Sequence, residues 1–203
     1  MNPVDLLSEM IALEAAAPTH SLRHRQGYND LLGFGFFRET GAISAVVCAE
    51  CSDPHTAQIK FEDSTYGYYC PELCFVELAR ERMNTVTPNL PFLIGQLADA
   101  FDCKRRKATP VYGETWRIGS VSTDQGDIVL CFLPRLSDED DARQLADALS
   151  REVHAPSRLV VSAEGQLPIS IAMTVTLNEL VEMSPRNGCL IPQFDLCTLG
   201  DVP

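Results

Sequence analysis

Eight cysteines stand in a chain of 203 residues, and four of them form two close pairs: Cys48-Ala-Glu-Cys51, then eighteen residues, then Cys70-Pro-Glu-Leu-Cys74. Two pairs about 15 to 20 residues apart have the spacing of a zinc site, each pair on a turn between short strands so that four ligands converge tetrahedrally. The flanks agree with this, since Val46-Val47 runs into the first pair and Tyr68-Tyr69 into the second, as strands entering two metal knuckles would. The start, Met1-Asn2-Pro3-Val4-Asp5, lacks the basic and apolar stretches of a secretory signal, and no segment reaches the roughly 18 apolar residues of a membrane span. The expected compartment is the cytoplasm. Its reducing conditions argue against a disulfide framework and leave metal ligation or burial to account for the cysteines.

At this point Val46 to Leu78 resembles a zinc ribbon, over about a sixth of the chain. In that class of module the second knuckle usually reads Cys-Pro-x-Cys-Gly. Here Leu73 stands at the ligand position and Cys74 where the glycine normally lies. The donor sets left open are Cys48, Cys51, Cys70 and Cys74, which is preferred, or the same three thiols with His55, which follows Asp53-Pro54 close to the first pair. A third reading has no metal, with the cysteines serving as small apolar residues. Either four-ligand set closes the coordination sphere, so Zn2+ here is expected to be structural rather than catalytic. The resemblance also implies a link to transcription and nucleic-acid-handling proteins. The remaining cysteines show no second pair spacing. Cys131 sits in an apolar run and reads as core, and Cys189 and Cys197 carry no pattern. Cys103 precedes four cations that would lower a thiol pKa, although an ordinary residue at a helix end is the preferred reading.

Hydrophobic periodicity gives an α+β chain with three expected parts: an N-terminal helical segment over 1–42, a zinc-ribbon-like module over 43–84, and an α/β domain over 85–203. Asn2 can cap a first helix whose Leu6, Leu7, Met10 and Ile11 repeat at helical spacing. A second helix is expected over 26–32, and short strands over 42–47, 56–61, 66–69 and 75–78. A third helix over 89–102 carries the stripe Leu90, Leu93, Ile94, Leu97 and Phe101. A hairpin is expected over 115–122 and 127–133, whose second arm, Ile128 to Leu133, is apolar enough to be buried on both faces. A helix over 138–152, a strand over 158–163, alternation from Leu167 onward, a short helix over 176–183 and an extended tail over 189–196 complete the order. The expected seam lies between Ala79 and Pro88.

Charge limits the partners. With 16 Lys+Arg against 28 Asp+Glu the net charge is −12, which repels polyanions unless a local patch overrides it. The candidate nucleic-acid patch is Lys104, Arg105, Arg106 and Lys107, a run that would equally suit the C-terminus of the third helix. Nucleophile elbows, phosphate loops, dinucleotide fingerprints and His-Glu-x-x-His are missing from the sequence. His20 and His24 read as exposed, and His154 as a helix-end cation. Asp138 to Asp141 read as the solvated start of a helix, and Glu114, Asp124 and Asp127 as turn residues. The expected function is macromolecular recognition or regulation without catalysis, with a protein as partner. Nucleic-acid binding through Lys104 to Lys107, and an enzyme with its site in the C-terminal α/β region, are the alternatives.

Overall fold

The computed structural model describes residues 2–196 apart from 49, 108, 114, 125, 137–138, 152–156, 168–171 and 194. In chain order its elements are α1 (Pro3–Ala12), β1 (Ala17–Pro18), α2 (Thr19–Leu22), α3 (Tyr28–Gly33), β2 (Phe37–Ala42), β3 (Ala45–Cys48), β4 (His55–Glu62), β5 (Thr65–Cys70) and β6 (Cys74–Glu77). After a 3-10 turn at Arg80–Arg82 come β7 (Asn84–Pro88), α4 (Leu90–Ala100), β8 (Thr109–Tyr112), β9 (Thr115–Thr123), β10 (Gly126–Arg135) and α5 (Glu139–Arg151). The chain continues through β11 (Ser157–Glu164), β12 (Met173–Thr176), α6 (Leu177–Leu180), β13 (Val181–Met183) and β14 (Leu190–Pro192). The class is α+β, with an N-terminal helix and a C-terminal α/β region.

The C-terminal region is built on a five-stranded sheet of order β12-β11-β10-β9-β8, in which β10 pairs parallel with β11 and antiparallel with β9. Its central strand fulfils the two-sided burial expected of its apolar run. Ile128, Leu130 and Phe132 face α1 and the main core, whereas Val129, Cys131 and Leu133 face Ala142, Leu145 and Leu149 of α5. Period-2 alternation thus assigns each residue of one strand to one of two apolar layers. The acidic start and apolar stripe of α5 suit a crossover helix that returns the chain for a parallel strand.

The N-terminal segment does not stand apart from this layer. Leu6, Leu7, Met10 and Ile11 of α1 join Leu130, Phe132, Leu159 and Val161 in one core, and β7 lies between β1 and β2 in a three-stranded sheet. The expected seam between Ala79 and Pro88 therefore contains a central strand. One expected strand, 42–47, is corrected. Its ends belong to different sheets, because β2 pairs with β7 and β3 pairs with β4. The expected helix over 176–183 is likewise only one turn, α6, before the chain extends into β13.

The first helix is fixed by local chemistry. Asn2 Oδ1 accepts from the Val4 amide at 3.1 Å, and Asp5 Oδ2 accepts from the Asn2 amide at 3.1 Å, a reciprocal cap that satisfies two otherwise unpaired donors. Asn2→Ala is expected to cost about 1 kcal/mol, read as a lower thermal midpoint with an unchanged circular dichroism spectrum. An unshifted midpoint would show the cap to be energetically idle.

Candidate metal centre

The four-stranded sheet β3-β4-β5-β6 carries the cysteine pairs. Its register explains why they meet. Cys48 lies directly opposite His55 in the β3–β4 ladder, so the two side chains leave the sheet on the same face. Ala57 and Ile59 follow His55 on that face, and Ile59 is opposite Tyr68 of β5, two residues before Cys70. Alternation along three strands therefore brings Cys48, His55, Tyr68 and Cys70 to one side. Cys51 joins them from the loop between β3 and β4. That loop is tied to the second one by Glu72, whose Oε2 accepts from the Ser52 amide at 3.0 Å.

The outcome is a group of four, Cys48, Cys51, His55 and Cys70, whose ligand atoms all lie within 4.8 Å of one another. Cys48 and Cys70 are buried, and Cys51 and His55 half-buried. Two sulfurs on one tetrahedral metal with 2.3 Å bonds sit about 3.8 Å apart, so the group matches the size of a metal site. Cys74 is not in it. The ladder sets Cys74 opposite Cys70 at the end of the β5–β6 hairpin, and its side chain is exposed.

Three observations test whether a metal fits. His55 Nδ1 lies 3.1 Å from the Asp53 carbonyl and 3.3 Å from Cys51 Sγ, while its Nε2 is buried with no hydrogen-bond partner. A ring that gives its Nδ1–H to a carbonyl keeps a lone pair on Nε2, the arrangement of metal-binding histidines oriented by a backbone oxygen. The thiols are also electrostatically split. The Tyr68 hydroxyl donating to its sulfur draws Cys48 down to about 7, against the opposing effect of its burial, and the same bond raises Tyr68 to about 12. Burial, followed by the adjoining Cys48 and Cys70 sulfurs, pushes Cys51 up to about 11. Clustered sulfurs resist carrying negative charge together, and a divalent cation removes that resistance. Finally, the sheet has little else to hold it, because its own buried cluster is Cys48, Ala57, Tyr68 and Cys70.

The other residues singled out in the sequence take structural places. Cys131 is fully buried in β10. Cys103 is 4% exposed, and burial pushes its thiol up to about 11 despite the nearby Arg106, so the cations do not activate it. The basic run does not lie on a helix C-terminus as expected, since α4 ends at Ala100 and Lys104 instead forms an isolated bridge to Ser120 of β9. That approach depends on Gly119, where a Cβ would stand 2.9 Å from both the Lys104 carbonyl oxygen and Cys103 Cβ. Arg106 pairs with Asp99, Arg105 lies 4.0 Å from Asp127, and Lys104 Nζ donates to Ser122 Oγ at 3.5 Å. His20 and His24 are exposed, and His20 Nδ1 lies 3.1 Å from the Arg82 carbonyl. Asp140 pairs with Arg143, and Asp127 accepts from Ser122 Oγ. Cys189 is exposed. Glu114, Asp138, His154 and Cys197 lie outside the described residues, as do the side chains of Glu139 and Asp141.

A cavity of about 650 Å³ opens beside the carboxyl end of β10, walled by Met10, Ile11, Leu90 and Leu145 with Glu14, Arg38 and Arg135 also in its lining. Arg135 is engaged with Glu164 at 3.6 Å. Apolar walls with a few charged groups suit a small ligand, and the volume lies in the usual range for one. Among the described residues its lining contains no cysteine or histidine. Among the described residues no helix is long and apolar enough to cross a membrane. No protein-family model, no curated protein and no solved structure matches the chain.

Proposed function

We propose that this chain is a non-catalytic cytoplasmic recognition protein. Zn2+ held by Cys48, Cys51, His55 and Cys70 braces the β3–β6 sheet as a ribbon-like module, and that sheet presents a surface to another protein. The observation that carries the reading is the group of four ligand atoms within 4.8 Å. Four protein donors fill a tetrahedral sphere and leave no position for a reacting water, so zinc supplies a cross-link rather than a Lewis acid. His55 is favoured over Cys74 as fourth ligand because the register aims it at the thiols.

Exposed side chains on both faces of the sheet support recognition, with Phe61 and Tyr66 on the face of the metal group and Val47 and Tyr69 on the other. Among the described residues, seven large hydrophobic side chains are exposed, and five of them, Val47, Phe61, Tyr66, Tyr69 and Leu73, belong to this module. Phe61 and Tyr66 meet in a tilted arrangement with ring centroids 4.7 Å apart, and Tyr69 meets Phe75 at 5.4 Å. Residues 45–77 hold six acids, Glu50, Asp53, Glu62, Asp63, Glu72 and Glu77, against one cation, Lys60. Aromatic side chains ringed by carboxylates suit a basic protein surface and oppose a phosphate backbone. The pairing of Arg105 and Arg106 with Asp127 and Asp99 weighs against Lys104 to Lys107 as a nucleic-acid patch.

The test pairs Phe61→Ser/Tyr66→Ser with wild type in affinity capture from cell extract, alongside titration with a single-stranded oligonucleotide at low salt. The expected result is a protein retained by wild type and lost from the double variant at unchanged zinc content, with no oligonucleotide binding. Oligonucleotide binding that weakens when Lys104 to Lys107 are neutralised would replace this reading with the nucleic-acid one.

A further inference from the structure

The hairpin that delivers Cys70 to the metal group also delivers a second thiol to Cys70 itself. Cys70 and Cys74 are directly opposed residues at the closing end of the β5–β6 ladder, separated by Pro71, Glu72 and Leu73. Directly opposed residues of an antiparallel pair have Cα atoms roughly 4.5 to 5.5 Å apart, inside the roughly 4.4 to 6.8 Å that a disulfide spans. Cys74 adopts φ +60°, the left-handed conformation that closes the tight turn. It is exposed, whereas Cys70 is 3% exposed and within the metal group. The pair thus joins a solvent-facing thiol to a buried metal ligand.

We propose that Cys70 and Cys74 form an oxidation site, at which hydrogen peroxide converts the pair to a disulfide and releases the metal. This rests on the zinc reading above. In the first step the Cys74 sulfur attacks the peroxide. An S–O bond forms, the O–O bond breaks, and the departing hydroxide takes the Cys74 proton to leave as water, giving a sulfenic acid. In the second step the Cys70 thiolate attacks the Cys74 sulfur. The S–S bond forms, the S–O bond breaks, and hydroxide leaves to be protonated by solvent. Two sulfurs have then lost two electrons to one peroxide, and two waters have formed. The metal loses Cys70 as a ligand and keeps only Cys48, Cys51 and His55, so its affinity falls. Exposure makes Cys74 the entry point, because the ligand thiols Cys48 and Cys70 lie buried behind the sheet surface.

The test uses the zinc-loaded chain with stoichiometric hydrogen peroxide, reading released zinc with a chromophoric chelator and the disulfide by peptide mass mapping. Wild type is expected to release one zinc per Cys70–Cys74 disulfide formed and to rebind it after reduction by dithiothreitol. Cys74→Ser retains the whole proposed donor set and is expected to bind zinc normally but release it roughly tenfold more slowly or less. Equal release from Cys74→Ser, or a disulfide between other cysteines, would overturn the switch. Zinc content before peroxide separates the two ideas. A chain that takes up no zinc overturns the metal reading and the release with it, whereas a zinc-loaded wild type that keeps its metal under peroxide overturns the switch alone.

Discussion

Cys51→Ser is expected to lose one zinc per chain and, with it, the order of the β3–β6 sheet, while the rest of the molecule stays folded. The size of the effect follows from how little else supports that sheet. Of the four residues in its buried cluster, Cys48 and Cys70 are proposed ligands, which leaves Ala57 and Tyr68, with the half-buried Val46 and Val76 packed against them, as the apolar support. So small a cluster cannot offset the conformational entropy of four strands, at about 1 to 2 kcal/mol per ordered backbone residue. Structural zinc binding in small modules provides about 10 to 16 kcal/mol near neutral pH, and that free energy is folding free energy. The loss stays local because no residue between 43 and 83 belongs to the main core. Elemental analysis and hydrogen exchange by mass spectrometry check it: amides of 45–77 should exchange rapidly in Cys51→Ser or after chelation, with protection in β10 and β11 unchanged. Full protection of 45–77 in a metal-free chain would show that packing alone holds the sheet.

Phe132→Ala is expected to have the opposite distribution, lowering global stability by about 3 to 5 kcal/mol while leaving zinc content untouched. Phe132 is completely buried in the central strand of the five-stranded sheet and packs in the core that α1, α4 and α6 share. Removing its ring leaves a cavity that a strand paired on both sides cannot collapse to fill. Against a total of about 5 to 15 kcal/mol for an ordinary domain, the variant would be marginal at room temperature. Urea denaturation followed by Trp116 fluorescence should show a lower midpoint at unchanged slope. A loss below the cost of a surface substitution would mean that the core is not the single cooperative unit its packing indicates.

The two variants separate features that were legible in the sequence from those that were not. The apolar run Ile128 to Leu133 announced a strand buried on both faces, because period-2 alternation leaves a buried strand no polar side. The spacing of Cys48 and Cys51 announced a metal knuckle, because ligands a few residues apart on a turn are close whatever the rest of the chain does, and Cys70 entered through the separation of the two cysteine pairs. His55 and Cys74 were undecidable at that level. Each lies four residues from a paired cysteine, and only the β3–β4 and β5–β6 registers place His55 opposite Cys48 and Cys74 opposite Cys70. The basic run illustrates the same limit, since nothing local indicates that Gly119 admits Lys104 against β9 or that Asp99 and Asp127 sit beside its cations.

By itself, then, the sequence determined the α+β class, the order β9, β10, α5 and β11, and, through motif spacing, three of the four residues in the metal group. The elements and the Cys48–Cys51 turn rest on interactions among residues near in the chain, and Cys70 on the separation of the two cysteine pairs. The tertiary structure decided the fourth member of that group, the joining of α1 and β7 to the C-terminal core, and the placing of an exposed thiol opposite a buried one. Those depend on strand register and on which apolar faces meet, and many pairings satisfy the local preferences equally until one of them closes the core.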